Sequence, residues 1–408
     1  MPKSEESLVL AVLNRFLHWM VIGVISPILV LMIISKGISL GSVGYIMAML
    51  SAFVVIFEIP SGILSDRFGR KAVYLISLLF FLVSFSIILI GQGLLAIGIG
   101  FCLFGLGRAF SSGSIESDFI DLYLADHGKD NLHKIILGMN IGETIGLALG
   151  ALLGGFMPSL WSALFPGDNI YNGNIFIQIV LVIVLFILTG FAHTERSAVK
   201  HESLGSFLHD SISLIKANKV IKLLLAGILV WGFSFNAIEI YWQPQLKDIL
   251  GSEKQTWLFG ALNSGYFLMS VIGALAVGSF ISLTKLSQFS AIGILKIALG
   301  VTIVVLAFQG RFIGFSILFL LVMGFNGMLG VPESTVFNIE IPADKRSSLL
   351  SLSSLAMQVG GIVASVFFSL VIARTTIAIV WAVAGTAFGF SSILYFHLDR
   401  HAKGRLSR

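Results

Sequence analysis

Eight ionisable residues lie within stretches of the chain that are otherwise apolar: Glu58, Arg108, Glu116, Asp118, Glu143, Glu239, Lys296 and Glu333. A charge deep in hydrocarbon costs about 2.5–3.5 kcal/mol even on lenient insertion scales, so such groups persist where they face a cavity, a counter-charge or a proton path. A carboxylate that meets a cation in one state of a protein and loses it in another binds and releases a proton as the states exchange. That chemistry couples proton flow to a conformational change. Helical rise puts Glu58, Glu116 and Glu143 in the same half of the membrane depth, with Arg108 nearer the middle. Arg108 is always charged and needs an acid, which Glu143 or Glu58 is placed to supply. Glu143 is the first choice for the titrating acid and Glu58 the second, with Arg108 and Glu116 completing the proton-coupling set.

A second group lies farther along. Glu239 sits among Asn236, Tyr241, Trp242 and Gln243. An acid beside aromatic rings suits a cationic, amphipathic solute through charge pairing and cation–π contact, although an interfacial aromatic belt has the same composition. Glu333 is assigned to the same cavity, and Lys296 either snorkels or pairs with Glu333, a structural pair being the favoured reading. Glu116 and Asp118 are two residues apart and so point to different helix faces. His18 is expected to be a satisfied interfacial residue, and most of the Phe to face lipid.

The elements that carry these groups follow from composition. The chain has 408 residues, 56% of them hydrophobic and only 12% charged, with a mean hydropathy of +0.97. Soluble domains average about a quarter charged. The apolar residues come in runs of about 20, the length of a membrane-spanning helix, without the alternation of a barrel strand. Twelve spans are predicted, the first over 12–35, the fourth over 94–121 and the last over 376–397. The net charge of +5 is carried mainly by loops on one side; only Lys36, Lys247, Lys254, Arg311 and Arg374 fall on the other. This asymmetry orients the chain with both termini in the cytoplasm and requires no nucleic-acid partner. Cys102, the single cysteine, excludes an intrachain disulfide and a multi-cysteine metal site. No Walker A or G-x-S-x-G motif supports an enzyme, and no cofactor is expected beyond the proton gradient that would drive transport.

The chain reads as two halves. Residues 1–193 form a first six-helix bundle, 194–219 a cytoplasmic linker loop, and 220–408 a second six-helix bundle. An internal repeat supports the division: Gly113-Ser-Ile-Glu116-Ser117 and Gly330-Val-Pro-Glu333-Ser334 each lie in the fourth span of their half. In the fifth span Gly138, Gly142, Gly146, Gly150 and Gly154 recur every four residues, a face that admits close helix packing.

Between the second and third spans lies Gly62-Ile-Leu-Ser-Asp-Arg-Phe-Gly-Arg-Lys71. It resembles the signature loop of the major facilitator superfamily, Gly-x-x-x-Asp-Arg-x-Gly-Arg-Arg/Lys, matching at Gly62, Asp66, Arg67, Gly69, Arg70 and Lys71. Phe57-Glu58-Ile-Pro-Ser-Gly62 resembles a variant found in drug-efflux-like bacterial members. Gly146-x-x-x-Gly150-Ala-Leu-Leu-Gly154-Gly155 resembles the antiporter motif, with Ala151 where Pro is usual. The resemblance implies an all-α membrane protein with twelve transmembrane helices in two pseudo-symmetric six-helix bundles. It also implies a cytoplasmic gate of Gly62, Asp66, Arg67, Gly69 and Arg70, in which Arg70 pairs with Asp121. The function it implies is secondary active transport by alternating access: proton-coupled antiport exporting a small amphipathic or cationic molecule, or proton-coupled symport importing a metabolite or siderophore. A monomer in the plasma membrane (the bacterial inner membrane), in contact with lipid, a small-molecule substrate and protons, is expected.

Overall fold

The computed structural model describes residues 3–112, 114–128, 131–191, 218–252, 255–340 and 346–406. Among them are fifteen helices and no strand. In chain order they are α1 (Lys3–Ile25), α2 (Leu29–Ser35), α3 (Leu40–Phe68), α4 (Arg70–Ile90), α5 (Gly93–Ser111), α6 (Ser114–His127), α7 (Leu132–Leu164) and α8 (Asn172–Phe191). There follow α9 (Lys219–Leu250), α10 (Thr256–Thr284), α11 (Gln288–Ala307), α12 (Phe312–Glu340), α13 (Arg346–Ile372), α14 (Ile377–Phe390) and α15 (Ser392–Leu406). They make up 12 spans long and apolar enough to cross a membrane.

Three predicted spans are not single helices. The first is interrupted after Ile25, where Pro27 lacks a donor and disfavours helix in the residue before it; α2 then completes the crossing. The fourth breaks at Ser112, whose backbone is extended (φ −62°, ψ 119°), so that Arg108 belongs to α5 and Glu116 to α6. The last divides at Ser391 into α14 and α15. Elsewhere single residues mark the ends. Gly69, at φ 92°, joins α3 to α4 with no other residue between them, a conformation open to glycine. Asn218 caps α9 by accepting from the backbone N–H of Val220 and Ile221.

Two compact units emerge. The first comprises Met1–Ser39, Met49–His201 and Ser252–Ser264; the second comprises Leu40–Ala48, Glu202–Gly251 and Gly265–Arg408. The starts of α3 and α10 thus group differently from the rest of their helices, which a division by chain order does not provide. The expected linker, apart from its last two residues, lies outside the described residues, as do Gly113 and the loop before Arg346.

In the first unit α1 packs along α7, and the glycine face is the reason. A Cβ built on Gly142 would lie 2.9 Å from the Val12 carbonyl oxygen, and one on Gly150 2.7 Å from that of Met20; Gly146 and Gly154 face Phe16 and Val24 in the same register. Backbone meets backbone because no side chain intervenes. In the second unit α9 and α13 pair in the same way through Gly232 and Gly360. The expectation that Phe faces lipid fails for Phe81, Phe85 and Phe101, which are buried. They pack with Phe104 between α4 and α5, where Gly107 leaves room beside Phe81.

Candidate functional site

The polar centre of the first unit is built on α1. Arg15 sends Nη2 and Nε to Glu143 Oε2, at 2.5 and 3.1 Å, and Nη1 to Glu116 Oε1. One guanidinium from α1 therefore holds one carboxylate from α6 and one from α7. Its planar fork suits two acceptors at once. The three side chains are 18%, 32% and 25% exposed, neither sealed nor freely solvated. Around them, Asn14 donates to Thr189 Oγ1 at 2.9 Å, Tyr74 donates to Asn14 Oδ1 at 3.2 Å, and His18 Nδ1 lies 3.1 Å from the Tyr74 hydroxyl. The Arg15 guanidinium also lies over the Trp19 ring at 5.3 Å. The small cleft lined by Arg15, His18, Tyr74 and Glu116 has room for about one water molecule.

Arg108, expected to pair with Glu143 or Glu58, makes no direct ion pair with either; Glu143 acts on it only at longer range. No carboxylate among the described residues comes within 4 Å of Arg108. The glycine face draws α7 onto α1, so Glu143 meets Arg15 first. Glu58 makes no side-chain hydrogen bond or ion pair among the described residues; it is half-buried in α3, two residues before Pro60, which lies within the helix. His18 is not interfacial but sits in this network within the first span. Arg15, near the start of the first predicted span, is not among the residues the sequence singles out. The signal that could have found it is Asn14, Arg15 and His18 clustered in one apolar helix, opposite the glycine register.

At the charged turn, Arg70 Nη1 lies 2.8 Å from Asp121 Oδ2 and 3.4 Å from Asp118 Oδ1. Asp118 is buried and Asp121 54% exposed, so Arg70 spans the boundary between the packed interior and the surface. Lys71 donates to the Gly190 carbonyl at 2.8 Å. Arg67 is exposed, with its guanidinium over Phe68, and Gly62 has open space beside it. The Asp66 side chain lies outside the described residues.

In the second unit, Tyr266 donates to Glu239 Oε1 at 2.8 Å, Trp231 Nε1 donates to Asn326 Oδ1 at 2.8 Å, and Ser365 donates to Asn236 Oδ1 at 3.1 Å. Glu239 is exposed and Asn236 half-buried, whereas Trp242 and Gln243 are each 2% exposed. Trp242 stacks on Phe319 at 5.1 Å. Of the expected cavity residues, then, Glu239 and Asn236 reach the surface of the unit, while Trp242 and Gln243, one turn farther along the same side of α9, are buried. Trp231, Tyr266 and Asn326 join the polar group without having been singled out. Glu333 is apart from it: its Oε1 lies 3.0 Å from Lys296 Nζ and accepts from the Tyr395 hydroxyl at 2.6 Å.

A further polar knot ties helix ends to the loops that follow α2 and α7. The buried Lys36 donates to the Leu89 carbonyl and to Asn172 Oδ1, at 2.8 and 2.9 Å. Trp161 Nε1, the Asn169 backbone and Asn172 Nδ2 all donate to Asp168. Burial pulls the Lys36 ammonium below the usual lysine range, with Asp168 opposing the shift. The Trp161 hydrogen bond, foremost, holds the Asp168 carboxyl below its ordinary value.

Residues 11–365 match the family model for the Major Facilitator Superfamily. A Bacillus subtilis (strain 168) protein described as an uncharacterized MFS-type transporter, YxaM, is 25% identical over 255 residues, which is 60% of each chain. Among solved structures, the nucleoside transporter NupG is similar with a TM-score of 0.77 at 17% identity, covering 96% of this chain and 98% of that one. The POT family transporter PepTSo gives 0.76 at 13% identity, covering 98% of each. The Escherichia coli fucose:proton symporter FucP gives 0.59 at 14%, covering 96% and 98%.

Proposed function

The chain belongs to the Major Facilitator Superfamily, and we propose that this transporter couples solute movement to protons through Arg15, Glu116 and Glu143, as an antiporter exporting a small amphipathic or cationic molecule. The protein is an integral membrane transporter and not an enzyme. What supports proton coupling is one observation: two carboxylates share one guanidinium inside the first unit. With both acids ionised the trio carries one uncompensated negative charge. A single proton on either acid leaves a one-to-one ion pair, the cheaper charge state in a medium of low dielectric. The aqueous phase supplies that proton, and a shift of α6 or α7 against α1 within the first unit, parting Arg15 from one acid, would determine when it is bound.

Glu239 supports the cationic or amphipathic substrate. It is an exposed carboxylate on α9, held by Tyr266, with the half-buried Trp231 ring about two turns away on the same helix, backed at 5.0 Å by the buried Phe235. Such a surface takes a solute with a positive group and a flat apolar body. The basic bias of the loops supports cytoplasmic termini, and with them a plasma-membrane location.

The test uses purified protein in liposomes with an imposed proton gradient and a trapped pH-sensitive dye. The panel starts with a fluorescent lipophilic cation and adds amino acids, siderophores, nucleosides and fucose. Proton efflux as an external solute enters is the expected result, lost in Glu143→Gln with binding retained. Proton and solute moving together would make the protein a symporter. Transport of a panel solute indifferent to the gradient, or full coupling in both Glu143→Gln and Glu116→Gln, would overturn the reading.

A further inference from the structure

The second unit carries its own buried ionic centre. Lys296 on α11 is 0% exposed, and its ammonium meets Glu333 of α12 at 3.0 Å in an ion pair without a directed hydrogen bond. The same ammonium lies 4.5 Å from the centre of the Phe388 ring, on α14, and 4.9 Å from that of Tyr395, on α15. Tyr395 also donates its hydroxyl to Glu333. From α9 comes Gly227, where any Cβ would collide with the Tyr395 ring; the glycine makes room for the triad. The other ionisable groups on these helices lie away from the ammonium or are engaged elsewhere; on α15, His397 and Arg400 are exposed. Lys222 is exposed, five residues before Gly227, and Glu340 is seven after Glu333. Asp399 is engaged by Ser287 and Ser290.

Four features separate this centre from a purely structural ion pair. The first is its position: Glu333 occupies, in Gly330-Val-Pro-Glu333-Ser334, the place that Glu116 occupies in Gly113-Ser-Ile-Glu116-Ser117. The second is the asymmetry of access. Glu333 is 15% exposed while Lys296 is sealed, so water can reach the acid but not the amine. The third is the ring cage. If Glu333 were neutralised in an ordinary buried pair, the lysine would be left as an isolated, uncompensated cation. Here Phe388 and Tyr395 face the ammonium, and ring quadrupoles attract a cation most strongly when water is absent. The fourth is Pro332, which leaves the Met328 carbonyl without its helical donor and loosens α12 next to the acid.

We propose that Glu333 is a second proton-binding site of this transporter, the counterpart in the second unit of the acids held by Arg15. The proton comes from the aqueous phase to a carboxylate oxygen. Lys296 keeps its own proton, and the triad passes from net neutral to one positive charge, carried by the ammonium within the ring cage. Tyr395 still donates, since the protonated carboxyl retains an acceptor oxygen. The proposal rests on the proton-coupled reading above and extends it to two sites.

Infrared difference spectra of the full chain in lipid, recorded as pH is stepped, test this without a substrate. The protonated-carboxyl band should lose one carboxyl's worth of amplitude in Glu333→Gln. It should return, displaced in frequency, in Glu333→Asp, which guards against a folding artefact. Lys296→Met and Phe388→Leu should each move the midpoint of that band, and Cys102→Ser should not. Superimposable spectra of the unsubstituted protein and Glu333→Gln would overturn the proposal. The first-unit acids are read separately through Glu116→Gln and Glu143→Gln, so a failure there leaves the Glu333 band to stand or fall alone.

Discussion

Replacing Arg15 by Met keeps most of the apolar stem, which packs independently of the charge, and removes the guanidinium. Glu116 and Glu143 are then two like charges without their cation. Breaking a fully buried pair costs about 3–5 kcal/mol, and an exposed one about 0.2–1 kcal/mol. With the three side chains 18–32% exposed, the loss falls between these limits, at about 2–3 kcal/mol. The decisive comparison is with Arg15→Met/Glu116→Gln/Glu143→Gln. Neutralising all three members removes the stranded charges, so that variant should recover to within about 1 kcal/mol of the unsubstituted protein. Denaturant titration in mild detergent micelles, followed by tryptophan emission, measures both, and Trp19 beside Arg15 reports locally. Arg108→Met, with no carboxylate within 4 Å among the described residues, should lose less than Arg15→Met. The reasoning fails if Arg15→Met unfolds within 0.5 kcal/mol of the unsubstituted protein, a margin of about twofold in the folding equilibrium, or if the triple variant is no more stable than the single one.

Gly150→Ala should destabilise by about 1–3 kcal/mol, the usual range for overpacking. Its Cβ would lie 2.7 Å from the Met20 carbonyl oxygen, where carbon–oxygen contacts are ordinarily about 3.3–3.6 Å. Gly62→Ala, with nothing within 4 Å of the new methyl, should instead gain about 0.5–1 kcal/mol from helix propensity; equal midpoints for the two variants would refute the packing argument. For Asp168 the folded state holds the carboxyl low, chiefly through Trp161. The stability it contributes is present above the unfolded aspartate pKa of about 3.9 and is lost as pH falls through the lower folded value. Thermal midpoints should therefore drop on acidification below about pH 4, and Asp168→Asn should flatten that drop; parallel curves would remove Asp168 from the account.

The spans and their number are legible in the sequence because hydropathy over about 20 residues is a local quantity. The breaks at Pro27, Ser112 and Ser391 were not, since each leaves the apolar run intact and alters only the backbone. The glycine period in α7 announced a close partner but could not say which helix would fill it. That omission propagated to the site. Depth along the membrane made Arg108 a reasonable partner for Glu143, yet contact depends on which helix faces which, and the glycines had already given that place to α1. The Arg70–Asp121 and Lys296–Glu333 pairings were accessible earlier, the first through the resemblance of the turn and the second because a buried lysine has few acids to choose from. The aromatic cage around Lys296 needed the structure, as Phe388 and Tyr395 stand on two helices separated by the break at Ser391.

The two fourth-span acids are matched with different cations, and the difference has physical content. Arginine presents a rigid fork that can serve two carboxylates and never gives up its charge; in the first unit it does serve two, Glu116 and Glu143. Lysine is a compact point charge; in the second unit it meets one carboxylate and two ring faces. The first arrangement has an acid to spare, so a proton completes its charge balance. The second is balanced when ionised, so a proton unbalances it and the rings must hold the excess. Repeat-related positions therefore carry opposite charge preferences. Each acid is paired with a cation from its own unit.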